Sequence, residues 1–280
     1  MMFSLLAHLQ MHLKDDSIAW NIYVCAVYCN LELAKEFPRV IENDDFEKIY
    51  VTTDCDHVIC YIRGMIVDYS TSLLTNIHET LPTFDTGETT IIRGIYEYWH
   101  YGCDGFNDRG WGCGYRTLQT ICSWIIINKN LQQKVPSIRN IQETLVTLED
   151  KEKSFIGSRD WIGCFEVCLI LDNFYNINSK IVHIRSGQEL SKYLHVIKQH
   201  FEEFGCPIMM GGDQDCSSKC IIGMHTGLKE AYLLIIDPHF IGKAKSIEEL
   251  KSNQWVRWQS IKDFVYSSFY NLCLPQIKIT

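Results

Sequence analysis

The chain has 280 residues, of which 46% are hydrophobic and 21% are charged, a composition typical of a globular protein with a sizeable core. Its 34 acidic and 26 basic residues give a net charge of −8, which argues against nucleic acid as a partner because surfaces that bind nucleic acid are basic. No apolar run reaches the ~18 residues of a membrane span, and the N-terminal stretch lacks the basic segment of a secretory signal peptide.

The first 72 residues differ from the rest of the chain in their charge. They hold 11 acidic and 5 basic residues. Two segments rich in β-branched and aromatic residues, 18–30 and 57–69, predict strands, and the acidic ENDDFEK segment between them predicts a solvated loop. We therefore expect residues 1–72 to be an N-terminal extension. A small β-rich partner-binding unit, a trimmed remnant and an imperfect gene model are the three interpretations that the sequence leaves open.

Residues 73–280 are expected to form one α+β domain. A Thr-, Gly- and Pro-rich stretch at 81–90 is typical of a linker. A helix is predicted from Cys113 and a second one after residue 163, because apolar residues recur there at helical spacing. A hairpin turn is predicted at 225–230, and strands are predicted to begin near residues 206, 219, 231 and 268. Helices followed by a mostly antiparallel sheet indicate the α+β class.

The cysteine content is high and the number is odd. The thirteen cysteines are at positions 25, 29, 55, 60, 103, 113, 122, 164, 168, 206, 216, 220 and 273. No C-x-x-C pair and no H-E-x-x-H motif occurs, so the sequence has no recognisable zinc site. We interpret the cysteines as reduced thiols of a cytoplasmic protein, most of them small buried hydrophobic residues, and expect neither a metal nor a cofactor.

Cys113 differs from the other cysteines because glycines at 110, 112 and 114 surround it in the segment DRGWGCGYRTLQT. If the helix begins here, its free N–H groups and its dipole favour the thiolate and are placed to hold a developing oxyanion. Cys103 lies in the preceding loop and Cys122 lies on the apolar helix face, so neither has this setting. The pattern therefore indicates Cys113 as a candidate nucleophile.

The candidate base is His239, which follows an apolar strand in the segment IIDPHF. Asp237 precedes it by two residues, and residues i and i+2 of an extended backbone point to the same side. The carboxylate is then placed to fix the imidazole tautomer and to stabilise its protonated form. For an oxyanion donor upstream of the cysteine, the spacing allows Tyr98, His100 or Tyr101 and does not choose between them.

Several long segments, taken together, resemble the cysteine proteases specific for ubiquitin-fold modifier 1. In the order of that family they are DRGWGCGYRTLQT, FIGSRDWIGCFEV, PIMMGGDQDCSSK, IIDPHF and SSFYNLC. The resemblance runs from about residue 73 to the C-terminus and is closest to the short members of the family. It implies a papain-like fold, in which the nucleophile opens a central helix packed on the sheet. It also implies Cys113 as nucleophile, His239 as base, Asp237 as its orienting residue and Tyr101 as the oxyanion donor.

The resemblance further implies a substrate, which is ubiquitin-fold modifier 1 as a precursor and as a conjugate on lysine. Such enzymes cut after a C-terminal glycine that reaches the site through a narrow channel, for which glycines and aromatic rings are suitable walls. The candidates for these walls are Trp111, Trp161, Gly211 and Gly212. The expected location is the cytoplasm. Peripheral association with the endoplasmic reticulum through a partner is the second location that we consider.

Two other functions remain as alternatives. A related branch of the same fold acts on ubiquitin, but that branch tends to carry zinc-finger or ubiquitin-binding modules, for which the Cys and His spacing here gives no support. A non-catalytic protein that only binds the modifier would be marked by loss of a catalytic residue. All four catalytic positions are intact in this sequence, which favours the enzyme.

Overall fold

The computed structural model describes residues 73–82 and 84–279, together with the backbone of three N-terminal strands at 24–26, 47–52 and 57–62. The chain divides into two compact units, Met1–Ser70 and Thr71–Thr280. In the part of the chain that is described, no helix is long and apolar enough to cross a membrane.

The N-terminal unit contains a three-stranded antiparallel sheet. Strands β1 (Val24–Ala26), β2 (Glu47–Thr52) and β3 (His57–Ile62) lie in the order β1-β3-β2. Strands β1 and β3 fall within the two predicted strand segments, whose other residues lie outside the described part. Strand β2 was not predicted, because its first residues belong to the segment interpreted as a loop. Any separate role of residues 1–72 stays a prediction.

The larger unit is built on a seven-stranded sheet in which every neighbouring pair is antiparallel. Six strands follow the order β5-β10-β6-β7-β8-β9, and β4 pairs with the C-terminal half of β7. The strands are β4 (Glu88–Ile91), β5 (Ser179–Ile184), β6 (Ile208–Gly212), β7 (Ser218–Thr226), β8 (Ala231–Ile236), β9 (Val256–Ser260) and β10 (Tyr270–Pro275).

The helices pack on this sheet and form the hydrophobic core with it. They are α1 (Cys113–Asn128), α2 (Ile138–Thr147), α3 (Cys164–Tyr175), α4 (Leu194–Glu203) and α5 (Ile247–Ser252). Helix α1 packs against β6 and β7, α3 against β5, β6 and β10, and α4 against β4 and β7. In β7 and β8 successive side chains are buried although they point to opposite faces, so these strands are covered on both sides.

Helix α1 is the centre of the unit, and every residue from Cys113 to Ile125 is buried. Its buried hydroxyls bind the segment that precedes it in the chain. Ser123 Oγ accepts the N–H of Glu97 at 3.0 Å, and Thr120 Oγ1 accepts the N–H of Trp99 at 3.2 Å. The preceding segment therefore runs antiparallel along α1 and reaches the start of the helix near residue 101.

The predicted α+β class is confirmed, but two details of the predicted order were wrong. The stretch at 81–90 is more than a linker, because β4 begins inside it and Phe84 stacks on His225 with ring centroids 3.7 Å apart. Helices and strands are also less separated along the chain than predicted, because β4 precedes α1 and α4 lies between β5 and β6.

Candidate active site

Cys113 is the first residue of α1, as the glycine pattern predicted, and its side chain is buried. Gly112 is the N-cap and provides no side-chain cap, so the free N–H groups and the helix dipole act on the thiol. The flanking glycines allow close packing. A Cβ at Gly112 would lie 2.1 Å from Asp108 Oδ2, and a Cβ at Gly114 would lie 2.5 Å from the carbonyl oxygen of Ile162.

Asp237 and His239 follow the C-terminal end of β8, which places them beside the start of α1. The imidazole Nδ1 of His239 lies 2.5 Å from Asp237 Oδ1. The carboxyl group is held in turn by the His239 N–H, which donates to Asp237 Oδ1 at 3.2 Å, and by Arg257 of β9, whose Nη1 lies 3.4 Å from Oδ2. The Asp237 backbone is fixed by its N–H, which donates to Trp255 O at 2.8 Å. The carboxylate therefore fixes the ring with Nδ1 inward, which leaves Nε2 for the thiol.

The thiol and the imidazole shift each other's pKa in opposite directions. Burial raises the pKa of Cys113, but hydrogen bonds with His239 and with the Ser218 backbone, the charge of His239 and a hydrogen bond with Tyr101 outweigh it, so the pKa lies below that of an ordinary thiol. Burial lowers the pKa of His239, but the Asp237 and Cys113 interactions outweigh it and raise this pKa to about 9. The arrangement favours a thiolate–imidazolium pair at neutral pH.

The three upstream candidates for an oxyanion donor occupy different environments. The Tyr98 hydroxyl is used structurally and donates to the carbonyl of Asp237 at 2.6 Å. His100 is buried edge-on against Phe240, and burial lowers its pKa to about 4. The Tyr101 ring lies edge-on to His239 with centroids 5.1 Å apart, and its hydroxyl interacts with the Cys113 thiol.

Tyr101 is held in this place by its backbone. Its N–H donates to the carbonyl oxygen of Pro238 at 3.0 Å, so the segment before α1 is joined directly to the Asp-Pro-His segment. Burial, followed by the negative charge of Cys113, raises the pKa of its hydroxyl well above the ordinary value. The hydroxyl therefore stays protonated and able to donate, and among the three candidates the geometry favours Tyr101.

The four residues predicted for the substrate channel lie in different settings. Trp161 is 53% exposed, whereas Trp111 is only 7% exposed and packs edge-on against Phe106 and Tyr115. Gly211 and Gly212 end β6, and Gly211 pairs with Ser218, whose backbone reaches the Cys113 thiol. The glycines and Trp161 thus have surface for a substrate, while Trp111 contributes mainly to packing. The role of all four in substrate binding stays a prediction.

Two groups of functional interest were missed by the sequence reasoning. One is the Ser218 backbone, which only the pairing of distant strands brings to the nucleophile. The other is the buried ion pair of Arg116 with Asp108, in which the Arg116 guanidinium also binds the partly exposed Asp104 on its outer side. The available signal was the position of Asp108 and Arg116 in the same glycine- and aromatic-rich segment as Cys113.

Clusters of metal ligands are absent from the described part of the chain. Within residues 73–82 and 84–279 and the three N-terminal strands, no group of three or more His, Cys, Asp or Glu side chains is arranged to hold a metal ion. The nine cysteines from Cys103 to Cys273 are free thiols.

Comparison with known proteins gives a consistent result. The model of peptidase family C78 matches residues 87–273. "Ufm1-specific protease 1" of Mus musculus is 43% identical over 208 residues, which cover 73% of this chain and 94% of that protein. "Probable Ufm1-specific protease 1" of Drosophila melanogaster is 42% identical over 211 residues, which cover 74% of this chain and 88% of that protein.

Longer relatives match the same part of the chain. "Ufm1-specific protease 2" of Homo sapiens is 36% identical over 210 residues, which cover 74% of this chain but only 45% of that protein. The crystal structure of UfSP from C. elegans is 33% identical and superposes with a TM-score of 0.66, covering 74% of this chain and 38% of that chain. The chain thus spans nearly all of the short relatives and less than half of the long ones, and the superposition confirms the predicted papain-like fold.

Proposed function

The chain belongs to peptidase family C78 and is a cysteine peptidase, and from this premise we propose that it processes the precursor of ubiquitin-fold modifier 1 and removes the modifier from lysine side chains. The observation that carries the proposal is the site at the start of α1, where the thiol, imidazole and carboxyl groups meet. The proposed substrate is supported by the names of the relatives. In the two short relatives, the segment that aligns with this chain covers 94% and 88% of the protein.

In the proposed mechanism the Cys113 thiolate attacks the carbonyl carbon of the C-terminal glycine of the modifier. The new C–S bond gives a tetrahedral intermediate, whose oxyanion is held by the Tyr101 hydroxyl and by N–H groups at the start of α1. Protonated His239 then gives its proton to the leaving amine, and the C–N bond breaks. Water, deprotonated by the neutral His239, attacks the acyl-enzyme, releases the modifier with a free carboxylate and returns the proton to the Cys113–His239 pair.

Two features support catalysis over simple binding of the modifier. The pKa of Cys113 is lowered in spite of burial, and that of His239 is raised to about 9, which is the arrangement needed for attack and not for binding. Gly211, at the end of β6, pairs with Ser218, whose backbone interacts with the Cys113 thiol. Glycines at this place leave room for a narrow channel that accepts a tail ending in glycine. We also propose a cytoplasmic location, which the free thiols support.

The proposal is tested with two covalent probes used side by side. Each is a folded modifier with an electrophile in place of its C-terminal carboxylate, one built on ubiquitin-fold modifier 1 and one on ubiquitin. We expect an adduct with the first probe alone, and peptide mapping should place it on Cys113. Labelling by the ubiquitin probe instead would move the protein to the ubiquitin-specific branch, and tight binding without any adduct would support the non-catalytic alternative.

Substitution of the nucleophile completes this test. Cys113→Ser is expected to lower kcat for the precursor by about 10³-fold or more, because a serine hydroxyl is not ionised at neutral pH, while the melting temperature stays close to that of the unaltered protein. Cys216→Ser, at an exposed thiol between β6 and β7, is the matched control and should keep full activity. Retained turnover in Cys113→Ser would remove Cys113 from the mechanism.

A further inference from the structure

Asp108 is fully buried and contacts both sides of the candidate active site. Its backbone carbonyl accepts the N–H of Trp111 at 3.2 Å and of Gly112 at 2.8 Å, directly before the nucleophile. Its side chain turns the other way, and Oδ1 accepts the N–H of Gly102 at 2.8 Å, directly after Tyr101. One residue therefore joins the backbone beside Tyr101 to the backbone beside Cys113.

Arg116 fixes the Asp108 carboxylate from inside α1. Its Nε donates to Oδ2 at 2.8 Å and its Nη2 lies 3.1 Å from Oδ1, and both side chains are completely buried. Paired donation from a guanidinium defines the orientation of a carboxylate as well as its position. The space at this point is also fully used, because a Cβ at Gly112 would lie 2.1 Å from Asp108 Oδ2. Asp108 thus has a single place relative to the first turn of α1.

We propose that Asp108, held by Arg116, is a positioning residue that sets the Tyr101 hydroxyl relative to the Cys113 thiol. The inference rests on the function proposed above, since it assigns a task within that site. Its physical reason is that an oxyanion donor must lie at hydrogen-bond distance from a point defined by the thiol, and that small displacements cost much of the rate. Tyr101 and Cys113 are twelve residues apart on different segments. The bond to Pro238 fixes Tyr101 relative to the Asp-Pro-His segment, and Asp108 fixes the backbone next to Tyr101 relative to the backbone next to Cys113.

The test compares Asp108→Asn, Tyr101→Phe and the double variant with the unaltered protein. One readout is the set of kcat and KM values for cleavage of the modifier precursor. The second is the pH dependence of Cys113 alkylation by iodoacetamide, followed on the Cys113 peptide by mass spectrometry, which needs no modifier. Asp104→Asn is the matched control, because Asp104 binds the same guanidinium at 2.7 Å, is partly exposed, and forms its hydrogen bonds with Arg116 and the Phe106 N–H and not with residues 111–113.

We expect Asp108→Asn to lower kcat by about 10- to 100-fold while KM changes little, since the loss concerns the transition state. The alkylation midpoint of Cys113 should move to higher pH, because the hydrogen bond from Tyr101 is one of the interactions that lower the pKa of the thiol. Tyr101→Phe should cause the same shift. In the double variant the Asp108→Asn change should add nothing further to either readout, because there is no hydroxyl left to position. Asp104→Asn should change neither.

The proposal is overturned if folded Asp108→Asn keeps the kcat of the unaltered protein, or if its losses add fully to those of Tyr101→Phe, which would indicate a general structural role. Should Asp108→Asn fail to fold, Arg116→Lys takes its place, because it keeps the buried positive charge and removes the paired donation. If the unaltered protein does not cleave the precursor, the proposed function fails, and the alkylation profiles still decide whether Asp108 positions Tyr101 against the thiol.

Discussion

The protonation state of His239 determines the pH range in which Cys113 is a thiolate. Burial alone would lower the pKa of His239 and raise that of Cys113, so both groups would be neutral. Asp237 reverses this outcome for the imidazole, whose pKa is raised to about 9, and the imidazolium then lowers the pKa of the thiol. The two protons belong to one coupled pair, and the active form exists between its two titration steps.

The rate of cleavage should therefore depend on pH as a bell. kcat/KM is expected to rise as the thiol loses its proton and to fall again near pH 9, where the imidazolium that protonates the leaving amine loses its own. Asp237→Asn removes the largest interaction that raises the pKa of His239, so the descending limb should move to lower pH and kcat should fall by about 10²- to 10⁴-fold. Asp172→Asn, an exposed carboxyl on α3, is the control. A descending limb that stays in place in Asp237→Asn would contradict this assignment.

Among individual residues, the sequence correctly predicts local structure where the residues concerned are close together in the chain. The glycines around Cys113 and the Asp-Pro-His segment are local patterns, and their backbone conformations follow from residue type. The choice between Tyr98, His100 and Tyr101 depends on contacts with the segment that follows β8, more than 130 residues away, for example the bond from Tyr98 to Asp237. Arg116 and Asp108 resemble surface charges in the sequence, because burial of an ion pair is a property of tertiary packing.

Strand β6 illustrates how an element positions part of a site. It lies between β10 and β7, and its last two residues are glycines. At Gly211 a Cβ would meet only Ser218 Oγ, at 4.0 Å, so the space is open. At Gly212 a Cβ would lie 2.2 Å from Asp215 Oδ1 and 2.6 Å from the Tyr270 ring. Packing requires glycine at the second position, whereas at the first position the fold would accept a side chain.

This difference allows the proposed channel to be tested separately from stability. Gly211→Ala is expected to leave the melting temperature nearly unchanged and to raise KM for the modifier precursor by about tenfold, because the added methyl group occupies space needed by the tail. Gly212→Ala should instead destabilise the fold by about 1–3 kcal/mol through overpacking. Melting curves and steady-state kinetics of both variants provide the comparison. Unaltered KM in Gly211→Ala would exclude Gly211 from the channel wall.

The elements that the sequence predicted share strong local signals. Strands β6, β7, β8 and β10 are apolar runs bounded by turns, and α1 and α3 combine glycine starts with helical spacing. Strand β4 (Glu88–Ile91) was not predicted, because its sequence is mostly polar. It is a strand because it pairs with β7, which its own composition does not indicate. Helix α4 was missed because most of its residues are polar and only Ile197, His200 and Phe201 are buried, which makes the apolar pattern of the helix weak.

On the scale of the whole molecule, the peptidase unit begins before the segment that the family model matches. Ile77 is fully buried, and the backbone pairs with the segment that leads to the active site, since the Tyr98 N–H donates to Leu74 O at 2.8 Å and the Asn76 N–H donates to Tyr96 O at 3.2 Å. Lys251 of α5 also binds the carbonyl of Thr80 at 2.8 Å. Residues 74–80 therefore help to hold the segment that ends at Tyr101.

Two truncated proteins should differ sharply for this reason. A protein starting at residue 73 is expected to fold and to keep kcat/KM within about threefold, since the segment shared with the short relatives contains every group of the proposed mechanism. A protein starting at residue 87 loses the burial of Ile77 and its neighbouring hydrogen bonds, which should lower the free energy of unfolding by about 3 kcal/mol or more. Urea denaturation and precursor cleavage of both proteins measure the two effects. Equal free energies of unfolding would mean that residues 73–86 do not stabilise the peptidase unit. Loss of activity in the protein that starts at residue 73 would mean that residues 1–72 contribute to catalysis or to substrate binding.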